Sequence, residues 1–217
     1  MKLYGMPPTR VLRPLWLLNE LGLDYEMIPV DLGAGAHLTP EFLTINPVGK
    51  VPVLVDGDIQ VSESAAISLY LAERYGGGRF IPTAIEDRAA MYQWIMFLVT
   101  EIEQPLWRIA LHTGIYPESD RRPDELPLAE RDCRRMLVPI ESHLKGRKWF
   151  VGTSPSVADF IAAFTIDWAD EAGFLDQSPN ARRFVERMYA RGAAPPTIKE
   201  SWAALERGDQ PPGRRAA

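Results

Sequence analysis

One run constrains this chain more than any other: Asn46-Pro-Val-Gly-Lys-Val-Pro-Val-Leu-Val-Asp-Gly, followed by Val61-Ser-Glu-Ser-Ala-Ala-Ile. Two apolar stretches, Val53-Leu-Val and Ile59-Gln-Val, flank Asp56-Gly57, a pair that accepts the backbone conformations of a tight β-hairpin. The second stretch leads directly into Ala65-Ala-Ile-Ser-Leu-Tyr-Leu-Ala-Glu, where Ile67, Leu69, Tyr70 and Leu71 suit a helix packed on the sheet. Pro52 cannot donate to a β-ladder and belongs at a strand start or edge. Set between Val51 and Val53, it leaves the Val51 backbone to pair with something outside the sheet. A cis Val51-Pro52 bond would aim that carbonyl and amide outward.

The start of the following helix carries chemistry. Its unpaired N–H groups and partial positive charge make a natural carboxylate site. Ser64 adds a hydroxyl donor, and Glu63 adds an anion suited to an ammonium. Together they match the α-amino, α-carboxyl end of a peptide. The competing use of Ser62 or Ser64 is to cap the helix.

Composition narrows the class. The chain has 217 residues, 46% hydrophobic and 24% charged, an ordinary globular balance with room for two small domains or one large one. A net charge of −5 argues against nucleic acid as a partner. The one cysteine, Cys133, cannot form an internal disulfide, which points to the reducing cytoplasm. Between Asp132 and Arg134 in a helical stretch, it reads as a bystander. Met1-Lys2-Leu3-Tyr4 starts a strand with no targeting pattern, and no apolar run reaches membrane-spanning length.

Residues 1–6 read as a strand and Thr9 to Leu21 as a helix, with Leu12, Leu15, Trp16, Leu18 and Leu21 near helical spacing and Pro14 disturbing its first turns. Gly22 ends it, and Tyr25-Glu-Met-Ile-Pro-Val-Asp forms the second strand. Thr39-Pro40-Glu41 opens a short helical turn. The hairpin and its helix complete a β-α-β-α-β-β-α order, and Gly76-Gly-Gly marks a boundary. From about Glu86 the chain is helical, with Met91, Trp94, Ile95, Leu98, Ile102 and Leu106 on one face and Pro105 as a kink or stop. Tyr116 to Pro127 reads as a loop, and Leu128 to Leu144 as the next helix. Ser156-Val-Ala-Asp159 is a capping box ahead of the almost wholly apolar Val157–Trp168. We expect domains at 1–77 and 86–207 and a flexible tail over 208–217.

Taken together, Lys2-Leu-Tyr-Gly-Met-Pro-Pro-Thr-Arg-Val-Leu-Arg, Leu15-Trp-Leu-Leu-Asn-Glu-Leu-Gly-Leu-Asp-Tyr-Glu, the run from Gly35 to Leu54, Glu63-Ser, Leu144-Lys-Gly-Arg-Lys-Trp-Phe-Val-Gly and Ser156-Val-Ala-Asp-Phe resemble the cytosolic glutathione S-transferase superfamily, as a bacterial-type member. The resemblance covers nearly the whole chain in order and spacing. It implies an α/β thioredoxin-like N-terminal domain, an all-α C-terminal domain, and glutathione as co-substrate with no metal.

By that resemblance His37 and Lys50 reach the glycyl carboxylate, Val51 pairs its backbone with the cysteinyl unit beside a cis Pro52, and Glu63 and Ser64 take the γ-glutamyl end. The glutathione thiol must become a thiolate to attack an electrophile, and a hydroxyl donor or a helix N-terminus favours the anion. Met6 stands where serine-type members carry Ser, and it has no donor. Thr9, three residues on, is the expected thiolate donor or a plain N-cap, with Arg10 as a second candidate and Tyr4 as a weaker one. Met6 and Trp107, with Phe97, Glu101 and His112, are candidates to line an apolar second-substrate site, which implies a small hydrophobic electrophile. The family reading also implies a homodimer, with the long helix from Arg88 as a candidate surface. Two other classes stay open. One is a glutathione-dependent disulfide reductase, peroxidase, isomerase or ether lyase on the same scaffold; the other is a non-catalytic binding or regulatory module.

Overall fold

The computed structural model describes residues 1–209. Four short strands form one mixed sheet in the order β2-β1-β3-β4: β1 (Lys2–Tyr4), β2 (Glu26–Ile28), β3 (Val53–Asp56) and β4 (Ile59–Ser62). β1 runs parallel to β2 and antiparallel to β3, and β3 is antiparallel to β4. The β-α-β-α-β-β-α order read from the sequence is present, with α1 (Leu12–Leu21), α2 (Pro40–Ile45) and α3 (Ser64–Tyr75) between and after the strands. The remaining helices are α4 (Ile85–Phe97), α5 (Glu103–Ala110), α6 (Glu125–Leu144), α7 (Val157–Glu171), α8 (Pro179–Tyr189) and α9 (Ile198–Glu206).

Local chemistry explains most ends. Gly57 and Asp58 join β3 to β4, with Gly57 at φ 60° in the first of the two turn positions. α1 stops at Gly22 in the left-handed conformation, as expected of a C-terminal glycine. α2 opens on Thr39, whose Oγ1 accepts the Phe42 N–H, followed by Pro40 in the first turn.

Other boundaries differ from the sequence reading. α1 starts at Leu12 rather than Thr9, because residues 7–11 wind through turns that include the cis Pro7-Pro8 bond. Pro14 then falls in the first turn of α1, where its missing N–H is no loss. α6 starts at Glu125, ahead of Pro127, for the same reason. Pro105 neither ends nor breaks its helix. It lies in α5 just after a π-helical segment, Leu98–Ile102, which opens the backbone where the proline ring would meet the preceding turn.

The chain divides into two compact units: Met1–Ile81 with the described residues from Arg191 onward, and Pro82–Ala190. The return of the C-terminal segment to the first unit rests on Arg191, whose Nε donates to Glu20 across 2.5 Å, and on Asn19, whose Nδ2 donates to the Ala193 carbonyl. In the first unit, Leu3, Val53 and Leu54 of the sheet and Leu12, Leu15, Trp16 and Leu18 of α1 are buried with Ile67 and Leu71 of α3. In the second, α7 is buried along nearly its whole length. The capping box is present there: Ser156 donates to Asp159 from both its backbone N and its Oγ, and Phe150 N donates to the other carboxylate oxygen. Among the described residues no helix is long and apolar enough to cross a membrane. Eight of the ten expected tail residues, 210–217, lie outside the described residues.

Candidate functional site

Sheet register gathers the expected glutathione-facing residues. Ile28, Tyr4, Val53 and Ser62 form one row across the four strands. Because β1 and β2 run opposite to β3, and β4 runs with them, this row puts four connections at the same end of the sheet. They are the loop after β1 with Met6, Thr9 and Arg10, the segment after β2 with His37, the run into β3 with Lys50, Val51 and Pro52, and the step from β4 into α3 with Glu63 and Ser64.

Close packing links these connections. A Cβ on Gly5 would stand 3.1 Å from Val11 and 3.5 Å from Val51, so the first loop lies against the Val51 segment. A Cβ on Gly49 would stand 3.2 Å from the His37 carbonyl, and Gly49 sits at φ 63°. Only glycine meets both demands there, and it lets the run before Lys50 press on the His37 turn. Val51 packs against Val30, Phe42 and Val53. The Val51-Pro52 bond is cis.

Asn46, given no role by sequence reasoning, shapes this loop. It is 4% exposed, its Nδ2 donates to the Lys50 carbonyl (2.8 Å), and its Oδ1 accepts the Val48 N–H (3.2 Å). The Gly49 N–H closes the turn on the Asn46 carbonyl at 2.9 Å. An Asn that hydrogen-bonds backbone two residues ahead is a known turn former, which is the signal available in Asn46-Pro-Val-Gly.

Neither Ser62 nor Ser64 caps α3. Glu63 occupies the N-cap position with no side-chain cap bond, at φ 67° and ψ 113°, and Ser64 is the first helical residue. A non-glycine residue at positive φ is strained, and such strain clusters at ligand sites. Ser64 is buried, its Oγ accepts from Arg13 Nη1 at 3.1 Å, and its carbonyl accepts from Ser68 Oγ at 2.8 Å. Arg13 was another omission of sequence reasoning: a cation one residue before a proline in an otherwise apolar helix carries no motif.

The first loop is engaged internally. Thr9 Oγ1 donates to the Met6 carbonyl at 2.7 Å and accepts the Val11 N–H at 3.3 Å. Val11, not Thr9, is the N-cap of α1. A hydroxyl has one proton, so Thr9 can meet a thiolate only by releasing Met6. The Tyr4 ring packs edge-on against Phe42. The Nδ1 of His37 is buried with no hydrogen-bond partner among the described residues, an unsatisfied group of the kind that calls for an explanation.

The second-unit candidates lie along one interrupted helix. Phe97 ends α4, Glu101 falls in the π-helical segment 98–102, Trp107 is in α5, and His112 is in a second π-helical segment, Leu111–Ile115. His112 Nδ1 accepts the Arg122 N–H at 3.1 Å. Cys133 is fully buried, and burial pushes its thiol up to about 12, which leaves it without nucleophilic character.

The family comparison accords with this arrangement. The glutathione S-transferase N-terminal domain matches residues 1–73, and the glutathione S-transferase C-terminal domain matches residues 97–192. The chain is 32% identical over 206 residues to glutathione S-transferase 3 of Zea mays, covering 91% of this chain and 93% of that one. The chain belongs to the glutathione S-transferase family. It is also 28% identical to the disulfide-bond oxidoreductase YfcG of Escherichia coli (strain K12), over 95% of this chain and 98% of that one. Among solved structures it is similar to the glutathione transferase URE2P6 from Phanerochaete chrysosporium in complex with oxidized glutathione. That match has a TM-score of 0.80 and 26% identity, over 95% of this chain and 96% of that one. The four-stranded mixed sheet followed by helices is thus the glutathione S-transferase fold.

Proposed function

We propose that this protein is a cytoplasmic glutathione transferase, which activates the glutathione thiol as a thiolate for attack on a small hydrophobic electrophile. The observation that carries this reading is the register row Ile28–Tyr4–Val53–Ser62, with the connections that hold His37, Lys50, Val51, Glu63 and Ser64 at one end of it. In this reading the α-carboxylate of the γ-glutamyl unit meets the start of α3 and the Ser64 hydroxyl, and its ammonium meets Glu63. The cysteinyl backbone pairs with Val51 beside Pro52, and His37 and Lys50 face the glycyl carboxylate. Thr9, with Arg10 beside it, stabilises the thiolate by turning its O–H from Met6, while Met6 contacts the electrophile. In this reading glutathione occupies the first domain, residues 1–77, and the active form is a homodimer, as the family membership supports.

A second reading, glutathione-dependent disulfide reduction, is supported by the YfcG relative and by the engagement of the Thr9 proton with Met6. Calorimetric titration with glutathione, followed by parallel assays on an aryl halide and on a mixed disulfide of glutathione, tests both. Saturable binding with turnover of the aryl halide supports the transferase; turnover of the disulfide alone supports the reductase. A folded protein with no binding would sink both in favour of a non-catalytic module.

A further inference from the structure

We infer that Arg13 is a positioning residue for glutathione, fixing the Ser64 hydroxyl as a donor toward the γ-glutamyl carboxylate; this rests on the transferase reading of the same site. Arg13 is 1% exposed, an unusual place for a guanidinium, and lies on α1 behind the first turn of α3. Its Nη1 donates to Ser64 Oγ. A guanidinium has donors and no acceptor, whereas a hydroxyl has one proton and two lone pairs. With one lone pair held by Arg13, the Ser64 proton is directed to another acceptor. The Ser64 carbonyl is taken by Ser68 Oγ, and the backbone before it is set by Glu63 at positive φ.

The first N–H groups of α3 have no intrahelical acceptor, and the helix end bears a partial positive charge. A carboxylate at the start of α3 therefore meets N–H groups and an O–H that Arg13 orients. A role limited to stapling α1 to α3 would use the same hydrogen bond but would be indifferent to the ligand's carboxylate.

The test is a double-mutant cycle read by calorimetry with glutathione as the probe: wild type, Arg13→Gln, Ser64→Ala and the double variant. A second probe is the γ-aminobutyryl analogue of glutathione, which lacks only the α-carboxylate. Arg13→Gln should weaken glutathione binding by about tenfold, the scale of one charged hydrogen bond. In the Ser64→Ala background, or with the analogue, it should change binding by less than about twofold. An equal loss in both backgrounds, an equal loss for both ligands, or no loss at all overturns the inference. If Arg13→Gln does not fold, Arg13→Lys takes its place in the same cycle, keeping the cation and losing the fork geometry. Absence of glutathione binding by the wild type is a separate result, seen before any variant is compared. It overturns the transferase reading itself.

Discussion

Arg13 Nη1 donates to Ser64 Oγ across 3.1 Å, joining α1 to the first residue of α3 at a point where both side chains are buried. Removing the acceptor takes one hydrogen bond from a buried charge. Ser64→Ala should therefore cost about 1–3 kcal/mol of stability without any ligand present. Urea unfolding checks this; a loss below a few tenths of a kcal/mol would mean that the bond is exchanged for water at no cost.

Glu63 separates backbone strain from ligand chemistry. At φ 67° it holds a conformation that glycine tolerates better. Glu63→Gly and Glu63→Ala should both weaken glutathione binding by removing the partner of the ammonium. The glycine variant should be the more stable of the two by about 1 kcal/mol. Equal stability of the pair would show that the strain is relieved in solution.

Asp159 accepts three hydrogen bonds inside the second unit, from Ser156 N, Ser156 Oγ and Phe150 N. Asp159→Ala leaves buried donors without an acceptor and should cost about 2–4 kcal/mol. Burial pushes the carboxyl up to about 6 against the hydrogen bonds, which pull it down. With the folded value above the unfolded one, the stability contribution is complete below about pH 4, where both forms are protonated. It is lost as pH rises through about 6. The stability gap between wild type and Asp159→Ala should therefore shrink between pH 4.5 and 7 in urea titrations, and a widening gap would contradict the burial argument.

Cys133, buried with its thiol held at about 12, should not react with an aromatic disulfide reagent at pH 8 in the native protein. One equivalent should react after unfolding in urea. Rapid native labelling would show that α6 opens locally.

Thr9 is tested through the thiol it is proposed to serve. Thr9→Ala should raise the apparent pKa in the pH profile of kcat and lower the rate at pH 6.5 by about tenfold or more, whereas Thr9→Ser should keep both near wild type. A loss of rate with an unmoved pH profile would assign Thr9 to its observed partner, the Met6 carbonyl, and to loop structure alone.

What was legible in the sequence was local or periodic. The Asp56-Gly57 hairpin, the stop at Gly22 and the capping box at Ser156 depend on contacts spanning only a few residues, so short motifs reveal them. Start points were less legible. Thr9 looks like a helix cap, but the backbone from Pro7 to Val11 turns first, and the hydroxyl is drawn to Met6. Pro105 looks like a breaker, but a π-helical segment makes room for it.

The sequence by itself determined the order of strands and helices, the membership of the family and the residue types for a peptide cradle, because these follow from turn chemistry, periodicity and motif spacing. The tertiary structure alone decided that Arg13 meets Ser64, 51 positions away, and that Arg191 pairs with Glu20, 171 positions away, returning the C-terminal segment to the first unit. It also decided the positive φ of Glu63, which no residue preference foretells. The physical reason is that burial of a charge or strain in a backbone persists only where the surrounding packing over-determines it, and that packing is a property of the assembled fold rather than of any short stretch of chain.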